Sequence, residues 1–217
     1  SIVSSTVPKK NTGRTILYQA VECIVAIPSK PSLRALAFNQ IGRMLSLRDP
    51  NVLYSTLSVF ARVLYAEKVI IDRTSLDSMA LQRYKKQIVK CLDHKDPSIR
   101  RRALDVILAL VDQQNAETLV PEIIEYLPLT DSDFRSEMIV KLYFVVQRFA
   151  PSPIWHFDII HMLLIDSGNY VGNDILTAFC RLIATNEDVR NHALVLLENT
   201  LSGYTSNQAL VKVSAWV

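Results

Sequence analysis

The sequence predicts an all-α fold, an α-solenoid in which helix pairs repeat along the chain. Three observations carry that prediction. The chain holds only 5 glycines in 217 residues, where ordinary usage would place about 15, and sheets need the tight turns that glycine makes cheaply. A five-position apolar template with helical offsets recurs through the whole length. Short polar breakers stand at the start of each recurrence.

The template is clearest in DPSIRRRALDVILALVDQQN, residues 96–115. Apolar residues at Ile99, Ala103, Val106, Ile107 and Leu110 fall on one helical face. Ile16, Ala20, Cys23, Ile24 and Ile27 repeat it, as do Val171, Ile175, Ala178, Phe179 and Leu182. Val52, Val59, Phe60 and Val63 repeat it with Thr56 as the exception, and Phe134, Met138, Leu142 and Val145 with Lys141 as the exception. A sixth copy opens at Val211 and Ala215. The intervals between starts are 36, 47, 35, 37 and 40 residues. Helix-pair repeats of the HEAT and armadillo kind run at about 40–47 residues, so the chain sits at and just below that period.

Each start after the first follows a breaker: Asp49-Pro50-Asn51, Asp96-Pro97-Ser98, Asp131-Ser132-Asp133, Ser167-Gly168-Asn169 and Ser206-Asn207. Such side chains accept bonds from the free N–H groups of a helix start. A second apolar segment fills the space between starts, for example at 32–45, 81–92, 116–127 and 154–165, and makes each unit a helix pair. In the 99–111 helix, Leu104, Leu108 and Val111 widen the apolar arc to about half the circumference. That width suits a helix packed on its partner and on neighbouring repeats.

The long interval holds an extra segment, AEKVIIDRTS (66–75), read as a loop. Residues 1–10 read as a flexible entry and 11–217 as a single array, a fragment of a longer trunk. The uncapped ending ALVKVSAWV is expected to leave an open apolar face around Val213, Trp216 and Val217.

Composition excludes several classes. With 49% apolar and 21% charged residues, disorder throughout is excluded. A net charge of +3 is mild for a nucleic-acid binder, and no nucleic-acid partner is expected. No uncharged run is long enough to span a bilayer. Cys23, Cys91 and Cys180 lie in apolar segments with no CxxC pair, which suggests buried free thiols in a reducing compartment.

Catalytic chemistry finds no foothold. GxGxxG, GxxxxGK[ST] and HExxH are absent. His156 and His161 are five residues apart, about 140° around a helix, and do not converge on one metal. Cys91 and His94 read as a core thiol beside a turn histidine. No catalytic residue, cofactor site or metal site is expected, and the chain reads as a non-enzyme.

The arginines Arg100, Arg101 and Arg102 are the sharpest local feature. Arg101 and Arg102 can each pair with Asp105, at i,i+4 and i,i+3, for a few tenths of a kcal/mol. Arg100 is harder to place, because a cation at a helix N-terminus opposes the macrodipole. It either snorkels or pairs with Asp96 or a neighbouring repeat, or it joins Lys85, Lys86 and Lys90 in a basic surface. Arg100, Lys85 and Lys86 are thus the candidate partner-binding residues, for an acidic partner or a lipid headgroup.

Several segments carry a resemblance. NTGRTILYQAVECIVAI, LRALAFNQIGRMLSLRDPNVLYSTL, ALQRYKKQIVKCLDHKDPSIRRRAL, FAPSPIWHFDIIHMLL with SGNYV, and LSGYTSNQALVKVSAWV resemble the middle trunk of the gamma-adaptin family. These are large chains of the heterotetrameric clathrin adaptor at the trans-Golgi network and endosomes. The resemblance covers nearly all of 11–217. It implies a scaffold in vesicle-mediated transport that holds a second large chain, a medium chain and a small chain, and that meets an Arf-type GTPase. It further implies peripheral membrane association through the complex, clathrin binding through regions outside this sequence, and a cytoplasmic location on trans-Golgi, endosomal and coated-vesicle membranes. No family binding motif maps onto individual residues here. The alternative is an importin-type transport receptor, but Trp155 and Trp216 form no recurring Trp/Asn array.

Overall fold

A computed structural model describes residues 11–27, 30–47, 49–69, 82–201, 203–204 and 206–217. These are helical with short 3-10 turns and contain no strand. The fold class is all-α, of the helix-pair α-solenoid type predicted. The residues group into two compact units, Ser1–Leu110 and Val111–Val217.

In the first unit, α1 (Asn11–Ala26) pairs with α2 (Pro31–Gly42), which ends in a 3-10 turn, Arg43–Ser46. The next helix, α3 (Pro50–Val69), packs extensively on α5 (Pro97–Ala109), with the short α4 (Lys85–Lys90) laid against α5. In the second unit the order is α6 (Ala116–Ile124), α7 (Ser132–Phe149), α8 (Pro153–Ser167), α9 (Asn173–Thr185), α10 (Glu187–Leu201) and α11 (Gln208–Trp216). There α8 packs on α7, α9 and α10, and α11 packs on α10 and α9.

The capping chemistry is largely as expected. Asp49 accepts from the Asn51 N–H at 3.0 Å, Asp96 from Ser98 at 2.8 Å, Asp131 from Phe134 at 2.9 Å and Asn207 from Leu210 at 3.1 Å. Ser152 caps α8 through the Trp155 N–H at 3.2 Å. The Ser167-Gly168-Asn169 breaker behaves differently. It closes α8 and continues into a 3-10 turn, Gly168–Tyr170, while Gly172 precedes α9 without a side-chain cap.

Burial follows the template in α3 and α5. Val52, Thr56, Val59, Phe60 and Val63 are buried, and so are Ile99, Ala103, Val106, Ile107 and Leu110. Thr56, the polar exception, is satisfied by the Tyr18 hydroxyl at 3.1 Å. The wide arc of α5 is real, since Leu104 and Leu108 are buried as well. Two template copies are out of phase. In α1 the buried ridge is Leu17, Val21 and Val25, while Ile16, Cys23 and Ile27 are exposed. In α11 it is Ala209, Leu210 and Val213, with Val211 and Ala215 outside. Val213 is therefore core rather than part of an open end, whereas Trp216 is 54% exposed.

The segment 66–75 is corrected in part: residues 66–69 continue α3 as helix, and 70–75 lie outside the described residues, as does the entry 1–10.

Candidate functional site

The arginines at the helix starts share a structural role that the sequence does not advertise. The last carbonyls of a helix have no acceptor duty within it and need donors from elsewhere. Arg100 Nη1 donates to the carbonyl oxygens of His94 (3.1 Å) and Lys95 (3.4 Å) in the turn before α5. Arg34, in the first turn of α2, donates to the Val25 carbonyl of α1 at 3.3 Å. Arg135 donates to Leu127 (3.0 Å), Pro128 (3.1 Å) and Thr130 (2.8 Å), and its guanidinium lies 5.0 Å from the Tyr170 ring. Arg190 reaches the Ala184 carbonyl at 2.6 Å. Each sits at a helix start, where its own macrodipole is unfavourable. Each is compensated by the carbonyl-rich end of the element before it.

Arg102 is placed differently. It pairs with Asp105 at 3.5 Å and lies 5.7 Å from the Tyr54 ring on α3. The guanidinium, as hydrogen-bond donor and positive charge, lowers the Tyr54 pKa below its ordinary value. Tyr18, Tyr54, Ser55, Arg62 and Arg102 line an open cleft of about 500 Å³ between α1, α3 and α5. The Arg62 guanidinium is ion-paired with Glu22. Arg101 is exposed.

Lys85 and Lys86 lie on α4, which packs against the helix that carries Arg100. Lys86 is exposed and Lys85 half-buried, while the Arg100 guanidinium is turned to the 94–95 carbonyls. The three residues thus share a helical hairpin, with Arg100 directed into its turn.

The histidines make a polar network in the second unit. His192 Nε2 and Asp158 Oδ1 are 2.7 Å apart, and His161 Nε2 and Thr200 Oγ1 are 3.3 Å apart. Phe157 stacks on His161 and meets His192 edge-on. This is not a nucleophile relay. The Thr200 hydroxyl donates to the Leu196 carbonyl at 2.8 Å, and the carboxylate engages the other histidine. Burial lowers the pKa of His161, with the Asp158 charge opposing and the His192 charge adding to the shift. Burial also lowers that of His156, which sits beside Tyr143. No group of three His, Cys, Asp or Glu side chains among the described residues could hold a metal. Cys91 is a core thiol bonded to the Gln87 carbonyl, and the His94 ring accepts from the Asp96 N–H. Cys23, by contrast, is exposed and Cys180 only half-buried, against the expectation of three buried thiols.

The net charge of +3 conceals a division. Residues 1–110 carry 18 basic and 8 acidic side chains, net +10, and residues 111–217 carry 6 and 13, net −7. Summing the whole chain hid this signal. Counting each half separately would have found it.

The arginine clamps, the polar histidine network and the divided surface charge are the features the described residues bring together. The profile of the adaptin N-terminal region family matches residues 3–217. AP-1 complex subunit gamma-1 of Arabidopsis thaliana is 32% identical over 215 residues, covering 99% of this chain and 23% of that protein. AP-1 complex subunit gamma-2 of the same plant is 34% identical with 24% of its length covered, and AP-1 complex subunit gamma of Dictyostelium discoideum 33% with 23%. The chain thus spans about a quarter of the length of these relatives. The helix-pair fold agrees with a family match over nearly every residue: this chain belongs to the adaptin N-terminal region family.

Proposed function

We propose that this chain is a non-catalytic scaffold subunit of a heterotetrameric clathrin adaptor complex, acting in cargo sorting and vesicle-mediated transport at the trans-Golgi network and endosomes. The observation that carries the reading is the similarity to AP-1 complex gamma subunits over 99% of the chain. The mechanism is positional. Paired helices fix side chains on a stiff surface, and neighbouring repeats stabilise one another, so partner chains are held in a set arrangement. The partners in this reading are a second large chain, a medium chain, a small chain and an Arf-type GTPase. Clathrin would be met through regions outside this sequence. The complex would sit on the cytoplasmic side of its membrane, and the chain would use no cofactor.

Affinity purification of the full-length chain from its own cells, with mass spectrometry of what accompanies it, tests this. Recovery of a second large chain, a medium chain and a small chain is expected. A small GTPase with folded cargo and none of those chains would overturn it in favour of an importin-type receptor.

A further inference from the structure

The positive charge of the first unit is concentrated in one place. Residues 83–102 hold eight basic and two acidic side chains, net +6. They form the α4–α5 hairpin, since α4 packs on α5 and the 3-10 turn Cys91–Asp93 links them. Lys86 and Lys90 stand one helical turn apart on α4, at the i,i+4 spacing that puts side chains on one face. Both are exposed, as are Arg83 in the turn leading into α4, Lys95 in the turn after it and Arg101 on α5. Of the two acids, Asp96 is occupied by the Ser98 N–H, which leaves Asp93 as the exposed one.

The surface also lacks what a protein partner ordinarily grips. Among the described residues between 83 and 110, no large hydrophobic side chain is exposed. Ile88, Val89, Leu92 and Ile99 all point inward. Protein interfaces centre on buried aromatic or aliphatic anchors and are depleted in lysine. The hairpin itself contributes lysines and no anchor, and the exposed Tyr54 of the neighbouring α3 is engaged by Arg102. An anionic lipid surface needs no anchor: it attracts each nearby lysine or arginine through its surface potential alone.

We propose that the exposed cations of the α4–α5 hairpin, centred on Lys86 and Lys90 with Arg83 and Lys95 beside them, form an electrostatic contact for an anionic lipid bilayer. The inference stands on charge and exposure and does not require the adaptor reading. It assigns the exposed cations to the membrane, while the Arg100 guanidinium stays bonded to the 94–95 carbonyls.

The test is sedimentation of the full chain, with any partner chains it carries, on phosphatidylcholine vesicles with and without about a fifth phosphatidylserine. Binding is expected only to the anionic vesicles and should weaken as salt rises. Lys86→Gln with Lys90→Gln should lower partitioning about 25-fold, at about fivefold for each lysine withdrawn. Neutralising two other exposed cations of the same unit, Lys30→Gln with Arg43→Gln, should cost under about threefold. Equal losses from the two pairs would overturn the proposal by showing a net-charge effect without a site. Absence of binding to anionic vesicles would overturn it directly. Binding to polyglutamate that needs Lys86 and Lys90, without vesicle binding, would replace the lipid with an acidic polypeptide. Partner recovery from cells is read separately, so failure here leaves the adaptor reading standing or falling by its own experiment.

Discussion

Residues 1–110 and 111–217 use the same helix pairs and the same arginine-to-carbonyl device, yet they differ in charge and in what their cores contain. The first unit is net +10, and its centre is aromatic and aliphatic, with Phe38, Phe60 and Tyr84 in contact. The second is net −7 and, among the described residues, buries more polar side chains: Thr130, His161, Ser167 and Asn207, against Arg34 and Thr56 in the first. Helix-pair geometry therefore sets neither surface charge nor core polarity. A repeat needs an apolar ridge and a satisfied turn, and every other position is open to serve something else. In the first unit that freedom is spent on exposed lysines. In the second it is spent on internal hydrogen bonds that fix one packing, at the risk that losing one partner leaves the other buried and unsatisfied.

Core truncation gives the largest expected effects and weighs the two cores against each other. Phe60→Ala and Phe157→Ala should each cost about 3–5 kcal/mol, read from urea unfolding. Phe157 also stacks on Phe179 and supports His161 and His192, so its loss should be the larger. Equal losses would mean that the polar network of the second unit contributes nothing beyond packing.

Close backbone approach comes next. A Cβ on Gly168 would collide with the Asn207 side chain, and one on Gly42 with the Tyr84 ring. Asn207 is buried, donating to the Leu164 carbonyl and accepting from the Leu210 N–H, so it cannot retreat without breaking both bonds. Tyr84 is only half-buried, held by a 3.3 Å bond to the Asn39 carbonyl. Gly168→Ala should cost about 2–4 kcal/mol, from overpacking and lost buried hydrogen bonds together. Gly42→Ala should cost about 1–2 kcal/mol. A reversal of that order would break the contrast between a rigid polar node and a yielding aromatic one.

The arginine clamps give a finer comparison. Arg135 makes three carbonyl bonds and a ring contact, whereas the guanidinium of Arg100 bonds two carbonyls. Arg135→Ala should cost about 2–3 kcal/mol and Arg100→Ala about 1 kcal/mol, with thermal melts as the readout. A negligible effect at Arg100 would return it to the pool of partner-binding candidates.

At neutral pH the histidines contribute the least difference, and acid brings it out. Burial holds the pKa of His161 and of His156 below the ordinary histidine value, so the fold prefers both rings neutral. That stability is complete above about pH 6.5 and drains as pH falls below it, because the unfolded chain takes up protons first. Asp158, His192 and Thr200 face the His161 ring. His161→Gln should flatten the fall in urea midpoint between neutral and mildly acidic pH. An unchanged slope would show that His161 is not responsible.

Much of this fold was legible in the sequence for a local reason. Helix pairs announce themselves through a 3.6-residue apolar period and through Asp, Asn or Ser at the starts, and both are properties of neighbouring residues. Hence α3, α5 and α7, with their caps at Asp49, Asp96 and Asp131, lie where the pattern placed them. The candidate site was legible only in part. Its lysines are in plain view, but their weight appears when charge is counted by unit. The exposed Cys23 and the helical 66–69 were misread because an apolar neighbourhood and a long interval are weak signals.

What the sequence by itself determined, then, is the all-α class, the pairing of helices and the faces of the most strongly patterned ones. Tertiary structure alone decided the phase of α1 and α11, where several apolar residues compete and the neighbour selects Leu17 over Ile16 and Leu210 over Val211. It alone decided that Gly168 must lack a side chain, because the obstacle, Asn207, is 39 residues away. It also decided the role of Arg100, Arg135 and Arg190. Their partners are backbone carbonyls, which every residue possesses, so no side-chain pattern can mark them. Only the path of the chain brings donor and acceptor together.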